Sequence, residues 1–200
     1  MTFYNEKDVK INIFAVERDE QLQAQQYIRP TATVLELGAR YGTVTSIISK
    51  KLTNPMRLVA VEPDERVWHT LERNLVINGC SCRLIKGVIS RKPIILVKQN
   101  SYGGYGTSSE PAETSTIAQF TLEEIESKYD LRFDTLVADC EGFLEVFMDE
   151  NPVLYDQLTM ILFEKDCPHK CNYDKIIATL RAKGFRQLVA GFHEVWEREV

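Results

Sequence analysis

Two hundred residues, 44% of them hydrophobic and 26% charged, supply enough apolar material for one sizeable core and predict a single domain over 1–200. With 24 basic against 29 acidic residues the net charge is −5, so no excess of cations is present to neutralise a phosphate backbone, and a nucleic-acid partner is not expected. No apolar run approaches the roughly 18–20 residues needed to span a bilayer, and the opening MTFYNEKDVK lacks an apolar signal region, so a cytoplasmic chain with no membrane span is expected.

An N-terminal segment over 1–30 precedes the first clear element. From there short β-branched, apolar runs alternate with amphipathic stretches, the pattern of a mostly parallel sheet covered by helices. Strands are predicted over 33–37, 57–62, 82–86, 133–138 and 159–164. The first is followed by a helix over 43–52 and the second by one over 64–78, with Asp64 as its N-cap and Asn78-Gly79 as its stop. A strand pair is predicted over 88–98. The glycine-rich tract SYGGYGTSS, over 101–109 with Tyr102 and Tyr105, reads as a hairpin loop or a mobile substrate loop within a flexible region 100–116. Thr121-Leu122-Glu123-Glu124 fits a capping box opening a helix. A last helix over 173–183 stops at Gly184, and strands over 185–190 and 193–199, joined by Gly191-Phe192, form a terminal antiparallel hairpin.

Five cysteines, an odd number in a chain large enough to fold without staples, read as reduced thiols. Cys167, His169 and Cys171 with Cys80 and Cys82 match no standard zinc spacing.

The chemistry concentrates at the first strand-to-helix junction, Val34-Leu35-Glu36-Leu37-Gly38-Ala39-Arg40-Tyr41-Gly42. Ligands of open α/β sheets sit at such carboxyl ends. Gly38 and Gly42 are spaced GxxxG, and Arg40 stands where a dinucleotide fingerprint places a close-approach glycine, which disfavours a nicotinamide dehydrogenase. Glu36 beside the ligand would repel phosphate and attract an ammonium or sulfonium group. Glu62, ending the second strand before Pro63, is placed to accept ribose hydroxyls. Together they describe a cationic nucleoside, and S-adenosylmethionine fits.

At the fourth and fifth strand ends Asp139, Glu141, Glu164 and Asp166 gather four carboxylates. Asp139 or Glu141 is a candidate general base, with His169 a further one. Alternatively Asp139, Glu164 and Asp166 hold Mg²⁺ or Mn²⁺ through oxygen ligands. Tyr102, Tyr105, Trp68 and Trp196 are candidate platforms for a sugar face.

The motifs VLELGARYG, VAVEPDERVWHTLERNLVING, KGVIS, FTLEEIE, FDTLVADCEGFLEVF and MILFEKD resemble the class I S-adenosylmethionine-dependent methyltransferases, and within them the FkbM family, whose Asp-x-Glu-Gly is matched by Asp139-Cys140-Glu141-Gly142. Val137 and Leu144 depart from the lysine and glutamate the family often has there. The resemblance implies a Rossmann-like α/β fold with helices on both faces of a mostly parallel seven-stranded sheet, ordered 3-2-1-4-5-7-6 with strand 7 antiparallel. It also implies that Glu36, Gly38, Ala39 and Gly42, with Arg40 and Tyr41 between them, line the methionine part of the cofactor. Glu62 would hold the ribose, Pro63, Gly87 and Val88 would flank the adenine, and Asp139 would lie near the methyl. FkbM relatives methylate hydroxyl oxygens, often on sugars or glycans, so the expected acceptor is a sugar, a glycan or another hydroxyl-bearing small molecule. The alternative from another class is a cofactor-binding module without catalysis, which would have no use for Asp139 and Glu141. Such a core and its terminal hairpin use nearly all 200 residues, so no separate acceptor-recognition domain is expected beyond the glycine-rich loop and the N-terminal segment. The acceptor is then small, or delivered by a neighbouring domain of a larger enzyme.

Overall fold

A computed structural model of the chain describes residues 1–12, 17–98 and 107–199. A short antiparallel pair, β1 (Phe3–Tyr4) and β2 (Lys10–Ile11), precedes α1 (Arg18–Tyr27). Next come β3 (Val34–Leu37), α2 (Thr43–Lys51), β4 (Leu58–Glu62), α3 (Glu65–Ile77) and β5 (Arg83–Lys86). Four short strands follow: β6 (Val88–Ile89), β7 (Ile94–Lys98), β8 (Thr107–Pro111) and β9 (Gln119–Phe120). The C-terminal half runs through α4 (Leu122–Tyr129), β10 (Thr135–Ala138), α5 (Leu144–Glu150), α6 (Leu154–Gln157), β11 (Met160–Glu164), α7 (Tyr173–Ala182), β12 (Arg186–Val189) and β13 (His193–Glu197).

Seven of these strands form one sheet in the order β12-β13-β11-β10-β3-β4-β5, with β13 antiparallel to both neighbours and the other pairings parallel. Counted along the sheet, that is the expected 3-2-1-4-5-7-6.

Because successive strand residues face opposite ways, each strand feeds two cores. Val34, Val137, Leu162 and Val195 pack with Ala24 of α1, with Ile28 just after it and with Ile48 of α2. Leu35, Leu136, Ile161 and Trp196 pack on the other face with Ile125 of α4, Phe147 of α5 and Leu180 of α7. Helix α3 joins α1 and α2 on the first face. Its buried Val67, Thr70, Leu71, Asn74 and Leu75 repeat at helical spacing, and Leu71 and Leu75 meet Ala60, the register partner of Glu36.

Local chemistry sets the helix starts. The Asp64 side chain accepts from the Arg66 N–H and caps α3, Thr121 and Glu124 form the reciprocal box that opens α4, and Asn172 caps α7. Gly79 and Gly184 follow α3 and α7 with positive φ, as expected of helix stops. Asn74 Nδ2 donates 2.9 Å hydrogen bonds to the carbonyls of Tyr4 and Tyr41, so α3 holds both the N-terminal strand and the turn after β3.

Between β5 and α4 the expectation changes. β6 and β7 are both strands, but they do not pair with each other. β6 runs parallel to β9 and β7 antiparallel to β8. The reason lies in the intervening Ser90-Arg91-Lys92-Pro93, where Ser90 Oγ accepts from Lys92 N–H and Pro93 has no N–H to give a ladder. Within the region expected to be a loop, residues 107–111 are therefore strand. Tyr102 and Tyr105 lie outside the described residues. No helix among the described residues is long and apolar enough to cross a membrane.

Candidate functional site

The strand order reverses at β3, which pairs with β4 on one side and β10 on the other, so the loops leaving β3 and β10 part and open a crevice at their carboxyl ends. Gly38 makes that crevice possible. Its φ is 90°, and a Cβ there would sit 1.8 Å from the Asp139 carbonyl oxygen, so the two loops pass at a distance that excludes any side chain. Arg40 takes a φ of 40°, the left-handed conformation that the missing glycine would have favoured.

That conformation turns the Arg40 N–H onto Glu62, where it donates to Oε2 at 2.7 Å, while the Asp64 N–H donates to Oε1 at 2.8 Å. Burial pushes the Glu62 carboxyl up to about 7 against these two donors. Each oxygen accepts one backbone bond and keeps a second acceptor direction, the arrangement a vicinal diol requires. Gly38, Arg40, Glu62, Gly87, Val88 and Asp139 line one hollow, together with Pro63 and Glu141.

Four residues of the predicted cofactor set fall outside it, three of them in the turn after β3. Ala39 packs with Leu71 and Leu75 of α3, a Cβ on Gly42 would strike the Leu71 side chain at 2.8 Å, and Tyr41 is buried with its hydroxyl donating to Glu6. They shape the turn from behind. Glu36 also lies elsewhere, as strand periodicity requires. It lines a second hollow under α1 with Glu20, Asp139, Glu164 and His193, and the two hollows share Leu37, Gly38 and Asp139.

The second hollow is dense in carboxylates. Burial raises Glu36 to about 8, Glu164 to about 8 and Glu20 to about 9, and holds Asp139 well above the usual carboxylate range. Asp166 is not among them. It accepts from the Tyr173 hydroxyl at 2.7 Å and from the Cys167 N–H at 2.7 Å, and it groups with Glu141 and Cys167. The expected metal set of Asp139, Glu164 and Asp166 therefore divides between two places. His169 is exposed beside Pro168 and Lys170 on a separate hollow and does not join Asp139. Cys80 and Cys82 join no metal-ligand group among the described residues. Trp196 is core, and Trp68 donates its Nε1–H to the Glu62 carbonyl at 2.8 Å.

Sequence reasoning missed Glu20 and His193. The signal for His193 was present: in the terminal hairpin it pairs with Glu164, so both face the same side. Helix α1 was harder to find, since in RDEQLQAQQY only Gln21 and Ala24 are buried and no apolar stripe marks it.

Comparison with known proteins finds a shared fold. The chain is similar to a ribosomal protein L11 methylase from Lactobacillus delbrueckii subsp. bulgaricus, at 16% identity and a TM-score of 0.52 over 100% of this chain and 82% of that one. It is similar to a precorrin-6y C5,15-methyltransferase from Geobacter metallireducens GS-15, at 13% identity and 0.55 over 91% and 84%. An O-methyltransferase from Bacillus cereus in complex with SAH matches at 12% identity and 0.50 over 89% and 76%. No family model and no curated protein matches the sequence. The architecture is the Rossmann-like methyltransferase fold, a mostly parallel seven-stranded sheet with helices on both faces.

Proposed function

We propose that the chain is an S-adenosylmethionine-dependent O-methyltransferase of the FkbM kind, acting on a hydroxyl of a sugar, a glycan or another small molecule. The observation that carries this reading is the pair of hollows joined at Gly38 and Asp139. One offers the diol acceptor Glu62 and the other a floor of carboxyl groups whose ionised form a cationic end would favour, so a nucleoside with a cationic end is complementary to both. The residues fit the cofactor on their own chemistry: Glu62 retains acceptor capacity after its two backbone bonds, and Glu36 Oε2 is buried without a hydrogen-bond partner.

When bound, the cofactor supplies a methyl group on positively charged sulfur. Glu62 would hold the ribose, with Pro63, Gly87 and Val88 against the base. Glu36 and Gly38 would face the charged end. Asp139, at the join, would accept the proton that the acceptor hydroxyl gives up on methylation. Val137 and Leu144, the departures from the family pattern, are buried apolar side chains of the two cores and leave this chemistry to Asp139 and Glu141. A net charge of −5 favours a neutral acceptor over a nucleic acid.

Calorimetry with S-adenosylmethionine and with NAD tests the cofactor, and mass spectrometry for a methylated product among sugars and glycans tests the acceptor. S-adenosylmethionine binding that weakens in Glu62→Ala supports the reading. Tight NAD binding without S-adenosylmethionine binding would overturn it.

A further inference from the structure

We propose that Glu20, Glu164 and His193 form a binding site for a divalent transition-metal ion of mixed oxygen and nitrogen preference, with Asp139 at its edge. Three elements build it. Glu164 ends β11, His193 begins the antiparallel β13 directly opposite, and Glu20 comes down from the first turn of α1. His193 Nε2 lies 3.9 Å from Glu20 Oε1 and 3.9 Å from Glu164 Oε1, and one ligand atom of each residue falls within 4.8 Å of the others. Donors bound at about 2.0–2.2 Å to one ion stand no more than about twice that distance apart, so these separations are within reach of small side-chain shifts.

Electrostatics points the same way. The Glu164 carboxyl stands beside those of Asp139 and Glu20, so three acids meet at one point. Among the described residues no lysine or arginine forms an ion pair with any of them; Glu20 and Glu164 each face His193 Nε2. The cluster thus has donors and no compensating cation.

Two polar atoms independently mark the hollow as built for an occupant. Glu20 Oε1 is sealed from solvent without a hydrogen-bond partner. Glu36, 2% exposed and lining the same hollow, leaves Oε2 unpartnered as well. Buried acceptors of this kind are ordinarily satisfied. Imidazole together with carboxylates suits Mn²⁺, Fe²⁺ or Zn²⁺ better than Mg²⁺ or Ca²⁺, which take oxygen alone. Occupancy itself does not depend on methyl transfer. A role in acidifying the acceptor hydroxyl beside Asp139 does rest on that reading.

The test is a Mn²⁺ titration of the chelator-treated full chain, followed by the loss of the free-ion electron paramagnetic resonance signal, with Zn²⁺ as competitor. One Mn²⁺ per chain, displaced by Zn²⁺, is expected. His193→Ala and Glu164→Gln should each weaken binding by at least about tenfold, whereas His69→Ala, an exposed histidine on α3, should leave it unchanged. Glu20→Gln serves as the second ligand variant if far-UV circular dichroism shows either of the first two unfolded. No bound Mn²⁺ or Zn²⁺ at millimolar ion, or equal binding in His193→Ala, overturns the site. S-adenosylmethionine binding without metal binding would remove the ion alone, and metal binding without S-adenosylmethionine binding would remove the methyl-transfer reading alone.

Discussion

Two carboxylates one strand apart, Glu164 on β11 and Glu194 on β13, show opposite treatments of buried charge. Glu194 is 1% exposed and faces the Phe163 and Trp196 side of the sheet. There Lys165 Nζ donates to it at 2.8 Å, Trp196 Nε1 at 2.9 Å and Gln187 Nε2 at 2.5 Å, and its pKa is lowered despite burial, which opposes these donors. Glu164 faces the α1 side, where its neighbours are Glu20, Asp139 and a neutral histidine, and its pKa is raised to about 8 by burial first and then by Glu20. The same pair of strands thus gives a satisfied ion on one face and an uncompensated cluster on the other. A satisfied buried carboxylate belongs to the architecture; an unsatisfied group of them at strand carboxyl ends is the signature of a site.

The contrast predicts which substitutions cost activity and which cost stability. The largest effect falls on Asp139→Ala, which should lower turnover by about 10²–10⁴-fold, the usual worth of a general base. Urea unfolding should remain close to wild type, because the change relieves a crowd of acids. Full retained turnover would remove Asp139 from the chemistry. On the other face the balance reverses. Glu194→Ala should destabilise the chain by about 3 kcal/mol, since Lys165 and the Trp196 N–H lose a buried partner. A shift in urea midpoint no larger than that of an exposed pair such as Arg91–Glu123 would break the comparison.

Much of this was readable in the residues. The five parallel strands, the capped helices and the terminal hairpin followed from short β-branched apolar runs, Asp64, the Thr121–Glu124 box and Gly191. The crevice followed from Gly38 and Glu62. What escaped had physical causes. Helix α1 has no apolar stripe, so the face it covers and the acid it contributes were invisible. β8 looked like the end of a loop because Thr107-Ser108-Ser109 pairs through backbone alone. Arg40 looked like a defect in a glycine motif, and only its positive φ shows that the backbone does there what a glycine would have done. The division of Asp139, Glu164 and Asp166 into separate places depends on which face each side chain leaves, and loops after strands do not keep strand parity.

Glu62 sharpens the comparison from within the site, as the one buried acid there held by two backbone donors. Glu62→Gln keeps the shape but turns an NH₂ toward one of those N–H groups. A stability loss of about 1–2 kcal/mol is expected, together with roughly tenfold weaker S-adenosylmethionine binding by calorimetry. Unchanged binding would take the ribose role from it.

The smallest effect concerns Glu36, where pH provides the measurement. Its folded pKa is raised to about 8, with burial as the main cause and Glu17 and Glu62 adding repulsion, against an ordinary value near 4.5. Between those values the folded chain retains a proton that the unfolded chain has released. The unfolded state therefore binds fewer protons, and stability falls as pH rises through that window, by at most about 1.4 kcal/mol per pH unit from this group. Glu36→Gln has no proton to lose. Its unfolding free energy should match wild type near pH 4.5, exceed it progressively above that, and stop gaining past about pH 8. Parallel stability curves for the two proteins would mean that Glu36 ionises freely in the fold. In that case the floor of the second hollow would resemble the satisfied side of β13 after all.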